Sequence, residues 1–505
     1  MRRQRSRGHK KMIFIKEKTL PAAAIFLLLL SPACAVETPS ATETALSTAA
    51  AACVKFSACF DAGYAEKDPG RQAELYTRAI NLWGKDDGDK RLAITYADRG
   101  ITFYRAGEYD KAISDFTSAI GKDPDYAFSY YNRATAYYNK NDFGAAITDL
   151  GKAIELGMNY GFSYYLRGTA RLARKDYEKA IEDFDKSASL ERADAALYRG
   201  RGDARYGSKD CAGAVKDYDQ ALALDATGDC GTGAPGTAYA SRGTALYCLK
   251  AYDLAVLEYD KAEKAAPPNA PTLYNRAMAY RKLNETSKAV GDLLRAIKLD
   301  PEHSQAYALL GTLHRNLKKY ELSLEYYAKA LEAGNPRPET VYNNRGISSY
   351  CLKAYDAAIS DFGQAIAANP AYAKAYANRA MALCQKGNCG EALADGDKAI
   401  AADAKYPPAY GVRGYLYFEL GKYGLAAADF KKAVELDAQQ WDSCLGLALV
   451  SSKEGKAGEA AFWLKRAGKA NPKLAKGMAY IDELETEGYF YTLGQKKILA
   501  GLFTR

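Results

Sequence analysis

A period of 34 residues governs most of this chain. Units begin at Ala93, Ala127, Gly161, Ala195, Gly236, Ala270, Ser304, Glu339, Ala373, Pro407 and Trp441, and eight of the ten spacings are 34. One spacing is 41, with its extra residues near Asp229–Pro235, and one is 35, with Pro338 added. A unit of this length cannot bury an apolar face alone and must stack on its neighbours. Stacking also removes the limit that a single core would place on a chain of 505 residues.

Each unit reads as two helices. In the first, Tyr96, Gly100 and Phe103, then Ala112, Phe116 and Ala119, recur at three- and four-residue intervals. Gly107 separates the two runs and Asp123-Pro124 closes the unit. The eighth place is Gly or Ala in all eleven units; the twentieth is Ala in ten and Ser323 in the other. Small side chains there let paired helices approach closely, and aromatics at the fourth, seventeenth and twenty-fourth places fill the space left.

The pattern resembles the tetratricopeptide repeat family: aromatic at four, Gly or Ala at eight, Ala at twenty, aromatic at twenty-four, Ala at twenty-seven, Pro at thirty-two. Most units carry the first five features, and Pro124, Pro267, Pro301, Pro370 and Pro472 match the last. The resemblance covers about 93–474. It implies an all-α fold, an α-solenoid forming a right-handed superhelix of about 11–12 helix-turn-helix repeats with terminal capping helices. The units are 93–126, 127–160, 161–194, 195–228, 236–269, 270–303, 304–337, 339–372, 373–406, 407–440 and 441–474. The resemblance fixes a fold and leaves the partner open.

One departure from the family is systematic. The seventh place, usually Leu, is Arg in nine units: Arg99, Arg133, Arg167, Arg201, Arg242, Arg276, Arg345, Arg379 and Arg413. The same nine have an acid at place twenty-three: Asp115, Asp149, Asp183, Asp217, Glu258, Asp292, Asp361, Asp395 and Asp429. The other two have Leu310 with Tyr326 and Leu447 with Trp463. The charges are present together or not at all, which predicts structural ion pairs between helices or between neighbouring repeats. An arginine ladder for an anionic ligand is the rival reading, but the acids would neutralise it.

Residues 1–35 read as a secretory signal peptide. Eight Lys/Arg precede or flank the apolar run Ala22–Leu30, and Ala33-Cys34-Ala35 fits an A-x-A cleavage site. Met12 offers an alternative start. Two other readings stand beside cleavage: lipidation at Cys34, or an uncleaved N-terminal membrane tether, although the run is shorter than the ~20 residues of a spanning helix. The leader holds +7 of the chain's +9, so the rest is near +2, which gives no support to nucleic-acid binding. Residues 36–52, rich in Ser, Thr and Ala, read as a flexible linker. Residues 53–92 read as a degenerate first repeat, with Cys59 and Leu75 in place of the charged pair and a polar loop at 84–90. Residues 475–505 read as C-terminal capping helices carrying Ile481, Leu484, Ile498, Leu499 and Leu502.

Nine Cys lie outside the leader, and export would place them where disulfides persist. Cys384 and Cys389 flank a helix turn and form the first candidate bridge. A pair among Cys211, Cys230 and Cys248 would staple the inserted residues. Cys53 and Cys59 would be about 9 Å apart on an intact helix, beyond bridging range. Cys351 and Cys444 read as small buried residues.

No nucleophile elbow, phosphate loop or metal-ligand cluster appears, and repeats, caps, linker and leader account for the chain. The expectation is a non-enzymatic scaffold without metal or cofactor. By the family resemblance, the first helices line a concave groove. Twelfth-place Tyr104, Tyr138, Tyr206, Tyr247, Tyr350 and Phe418 and sixth-place Asn132, Asn275, Asn344 and Asn378 are candidates to hold a protein or peptide partner there. The alternative is a docking component of a polymer-export or glycan-handling system, periplasmic or associated with the outer membrane.

Overall fold

The computed structural model describes residues 53–190, 192–226, 235–485, 491 and 493–504. The leader, the linker and Cys230 lie outside these. The chain falls into two compact units, Met1–Gly233 and Ala234–Arg505, which part within the inserted residues. Each is a stack of helical hairpins, and the described residues contain no strand.

The first full hairpin pairs Asp89–Arg105 with Tyr109–Lys122. Later ones shorten the first helix from 17 residues to 13 and keep the second at 14, as in Ala270–Lys282 with Thr286–Leu299 and Ala373–Gln385 with Cys389–Ala402. Between the two helices the fifteenth residue of every repeat has positive φ, from 60° at Lys318 to 94° at Gly387. The expected loop at 84–90 is shorter: a 3-10 turn spans Lys85–Asp87, Gly88 turns at φ 82°, and Asp89 is already helical.

The eighth place is a notch cut for the twenty-fourth. A Cβ on Gly100 would lie 2.8 Å from the Phe116 ring, and one on Gly346 would lie 2.7 Å from the Phe362 ring. The seven repeats with Gly at place eight all carry Phe or Tyr at place twenty-four. The four with Ala there carry Leu150, Leu293, Gly396 or Leu464 instead. The volumes at the two places thus vary in opposite directions, as close packing of the paired helices requires.

Places twelve and seventeen close the hairpin at its turn. Ring centroids are 5.6 Å apart in Tyr104–Tyr109, 5.4 Å in Tyr138–Phe143, 5.2 Å in Tyr247–Tyr252, 5.5 Å in Tyr350–Tyr355 and 5.3 Å in Phe418–Tyr423. In the Ala373 repeat the same two places are Cys384 and Cys389, whose sulfurs are at bonding distance. A disulfide there would substitute for the ring pair. Cys53 and Cys59 are also brought together, with Cα atoms 5.1 Å apart. The helical spacing expected for them fails because the helix starts only at Phe56, leaving Cys53 on extended chain that folds back.

The arginines form the most regular polar feature. In all nine repeats Nε and Nη2 donate to the acid sixteen residues on, as in Arg276–Asp292 at 2.7 and 2.8 Å. These side chains are largely buried: 8% exposed for Arg276 and 7% for Asp292. The hydrogen bond to Asp149 holds the Arg133 guanidinium above its ordinary pKa. A fourth-place tyrosine lies over the guanidinium in most of these repeats, at 5.2 Å for Arg201 over Tyr198.

Nη1 points the other way, to place twenty-five of the preceding repeat. Arg99 reaches Thr77, Arg133 Thr117, Arg201 Asp185, Arg276 Asp260 and Arg413 Asp397, at 2.6–3.0 Å. Arg167 and Arg379 instead face Gly151 and Gly363, where an added Cβ would stand 3.9 and 3.7 Å from Nη1. Ahead of the two repeats without arginine, that place holds Leu294 and Lys431. One guanidinium thus joins the helices of its own hairpin and often ties that hairpin to the one before.

At the C-terminal end, Pro472–Lys476, Met478–Glu485 and Leu493–Phe503 are helical. Ile481, Leu484 and Leu499 are fully buried in one cluster with Leu445 and Leu449 of the last repeat. The final hairpin is covered by the chain's own tail.

Gly346→Ala is expected to lower the unfolding free energy by about 1–3 kcal/mol through overpacking against Phe362. Adding Phe362→Leu should recover most of that loss, as judged by urea denaturation of the single and double variants.

Candidate binding surface

Helix contacts identify the inner side of each stack. First helices of successive hairpins touch one another in both units, whereas no pair of second helices makes comparable contact. The first helices therefore line the inner curve, and their second, sixth, ninth and twelfth places face it.

The twelfth-place rings sit at this wall but are engaged in closing the turn. Tyr350 and Phe418 are buried, and Tyr104, Tyr138 and Tyr247 are half-buried against their seventeenth-place partners. Tyr206 is exposed, because place seventeen of its repeat is Cys211 and offers no ring. The six residues are therefore not one continuous free stripe.

The asparagines do not form a ladder either. Asn132 is buried and donates to its own helix at Phe128 O, 2.8 Å away. Asn344 accepts from Arg315 at 3.3 Å, and Asn378 donates to Asn343 of the previous repeat at 2.8 Å. Asn275 is half-buried. Fifth-place Asn343, which period reading did not single out, belongs to this network. Its signal was an Asn-Asn pair where other repeats have one polar residue at most.

In the N-terminal unit the inner wall mixes charges and rings. Arg192 stands over Phe162 and Tyr165 at 3.8 and 4.0 Å and pairs with Asp194 at 2.8 Å. Asp203 accepts from Tyr218 at 2.7 Å. Sixth-place Asp98 is pushed up to about 7 by burial, with the Arg105 charge a smaller opposing influence. His314, in the other unit, stacks on Tyr326 at 5.2 Å, and burial lowers its pKa.

In the C-terminal unit the wall encloses a cavity of about 390 Å³. Met381, Val412 and Tyr415 of the first helices line it with Gln440, Trp441 and Asp442, and Tyr491 of the tail joins them. The Tyr415 hydroxyl donates to the main-chain oxygen of Asp442 at 2.7 Å, and its ring meets Tyr491 edge-on at 6.0 Å. Burial raises the Asp442 carboxyl above the usual range, against hydrogen bonds from the Ser443 and Asp442 amides. Among the described residues no group of three or more His, Cys, Asp or Glu is placed to hold a metal, and no helix is long and apolar enough to cross a membrane.

Notched two-helix units stacked with their first helices inward define a helical-repeat protein. Models of the tetratricopeptide repeat match residues 97–160, 164–229, 199–271, 274–338, 354–407 and 407–440, and the chain belongs to that family. It is 37% identical over 91 residues to small glutamine-rich tetratricopeptide repeat-containing protein 2 of Saccharomyces cerevisiae, covering 18% of this chain and 26% of that one. It is 34% identical over 95 residues to heat shock protein STI1 of the same yeast, covering 19% and 16%. The chain thus spans about a quarter or less of the length of these relatives. Among solved structures it is similar to yeast Tom70 (17% identity, 80% and 96% coverage, TM-score 0.37) and to Cut9–Hcn1 (14%, 83% and 90%, 0.40).

The Asp98 shift has a pH consequence. Its folded pKa lies above the unfolded value of ~3.9, so the unfolded chain releases the proton first. Stability then falls as pH rises from about 4 to about 7 and levels above that. Asp98→Asn should remove this slope, stabilising the hairpin at pH 8 by on the order of 2 kcal/mol after discounting the partly exposed carboxyl. Hydrogen exchange of residues 89–122 across that range checks it.

Proposed function

We propose that this protein is a non-enzymatic scaffold that holds polypeptide partners against the inner walls of its hairpin stacks. The cavity at Met381, Tyr415 and Trp441 carries this reading, because successive first helices there line a concave space with rings and amides beside a buried core. Relatives in the same family include the Hsp70-Hsp90 organizing protein of Glycine max, whose name refers to protein partners. Only protein binding is carried over from it.

A photocrosslinking residue at Met381, on the inner wall, is expected to capture discrete polypeptides in cells. The same residue at exposed Lys398 on a second helix should capture none of them. Capture at both sites alike would contradict the reading. Recovery of a polymer-export or glycan-handling assembly would favour the docking alternative.

The reading extends to export, probed at the N-terminus. The basic segment, the apolar run Ala22–Leu30 and Ala33-Cys34-Ala35 support it, and so do cysteines at bonding distance, Cys53 with Cys59 and Cys384 with Cys389 among them. Intact-mass measurement of the protein from an envelope fraction should show a chain starting at Val36. A lipid-bearing Cys34 would keep export and replace simple cleavage with lipidation, and a full-length chain confined to the cytosol would contradict export.

A further inference from the structure

The cavity beside Trp441 is lined by a carboxyl, that of Asp442, with no cationic partner among the described residues. Its carboxylate has only amide hydrogen bonds, and a second carboxylate, Asp437, lies close enough to act unfavourably on it. An acid in the first turn of a helix suits that helix by itself. Here, though, Asp442 also lines a space bounded by Tyr406, Tyr415, Trp441 and Tyr491. Gly411, buried on the preceding first helix, leaves room for this helix start, since a Cβ there would stand 3.7 Å from Asp442 Oδ2 and 3.0 Å from Ser443 Oγ.

These features select among ligand chemistries. An anion would meet an uncompensated carboxylate in a partly desolvated site, which is costly. A neutral saccharide would stack on the rings and leave the carboxylate unpaired. A cation satisfies both: the ring faces attract it, and the carboxylate neutralises it. The volume of about 390 Å³ is near the lower end for ligand sites and suits a side chain or two rather than a folded element.

We propose that this cavity, at the inner wall formed by the last repeats, is a receptor for a cationic side chain, lysine or arginine, of a polypeptide partner. The proposal rests on the scaffold reading and deepens it by naming what the partner presents.

The test uses the full mature chain and four probes, acetyl-Gly-X-Gly-amide with X = Lys, Arg, Gln or Glu, titrated to about 10 mM by calorimetry at low salt. The Lys or Arg probe should bind at least about tenfold more tightly than Gln, with Glu weakest. Asp442→Asn should remove that preference. Chitotriose and maltotriose serve as saccharide arms. Equal binding of Gln and Lys probes, tighter binding of a trisaccharide, or no binding of either cationic probe overturns the proposal. The probe comparison needs no variant and stands even if Asp442→Asn fails to fold. Continued crosslinking at Met381 without a cationic preference would sink this inference and leave the scaffold reading intact. Loss of the crosslinks with the preference retained would do the reverse.

Discussion

In nine of the repeats a guanidinium sits where the two helices of a hairpin cross, and its donors run in two directions. Two go to the acid of its own hairpin, and in at least five repeats the third goes to the hairpin before. A planar group with fixed donors transmits a fixed angle between hairpins, which a flexible ammonium would not. Burying that much charge is tolerable only while every partner is in place. The arrangement exchanges the adaptability of a leucine contact for a defined geometry. Where the geometry is apolar instead, at Leu310 with Tyr326 and Leu447 with Trp463, both members and the preceding twenty-fifth place change together.

Much of this was legible in sequence, because the constraints are reciprocal and one member of each pair points to the other. The Arg and acid columns show it, and so do the notch glycines with their facing rings. The second reciprocity had to be seen in three dimensions before it stood out in the columns. The twenty-fifth place was not legible, since Thr, Gly and Asp share no property until the arginine that reaches them is known. Cys53 and Cys59 failed for another reason: helical spacing was assumed before the helix had begun.

The binding surface was less legible than the fold. Twelfth-place tyrosines recur because hairpins need closing, and a recurring ring at a wall looks the same in sequence as a ring left free for a partner. Cys384 and Cys389 expose the difference, because they occupy the same two places and would do the same job covalently. What distinguishes a candidate site is a break in the pattern: Asp442 where no other repeat has an acid at place two, Trp441 opening the last repeat, and Tyr491 arriving from beyond the array. Period reading averages such breaks away.

The account therefore depends on the arginine pairs setting the stack on which the inner wall is displayed. The most direct measurement is hydrogen exchange of residues 270–299 in the wild type, in Asp292→Ala, and in Arg276→Leu with Asp292→Tyr, the pairing that Leu310 and Tyr326 already use. Removing Asp292 leaves Arg276 only Asp260 and Glu263 of the hairpin before and should lower the opening free energy of its own hairpin by roughly 3 kcal/mol, and the apolar pair should restore most of it. A single variant that opens no more readily than the wild type would show that the pairs decorate the hairpins rather than hold them.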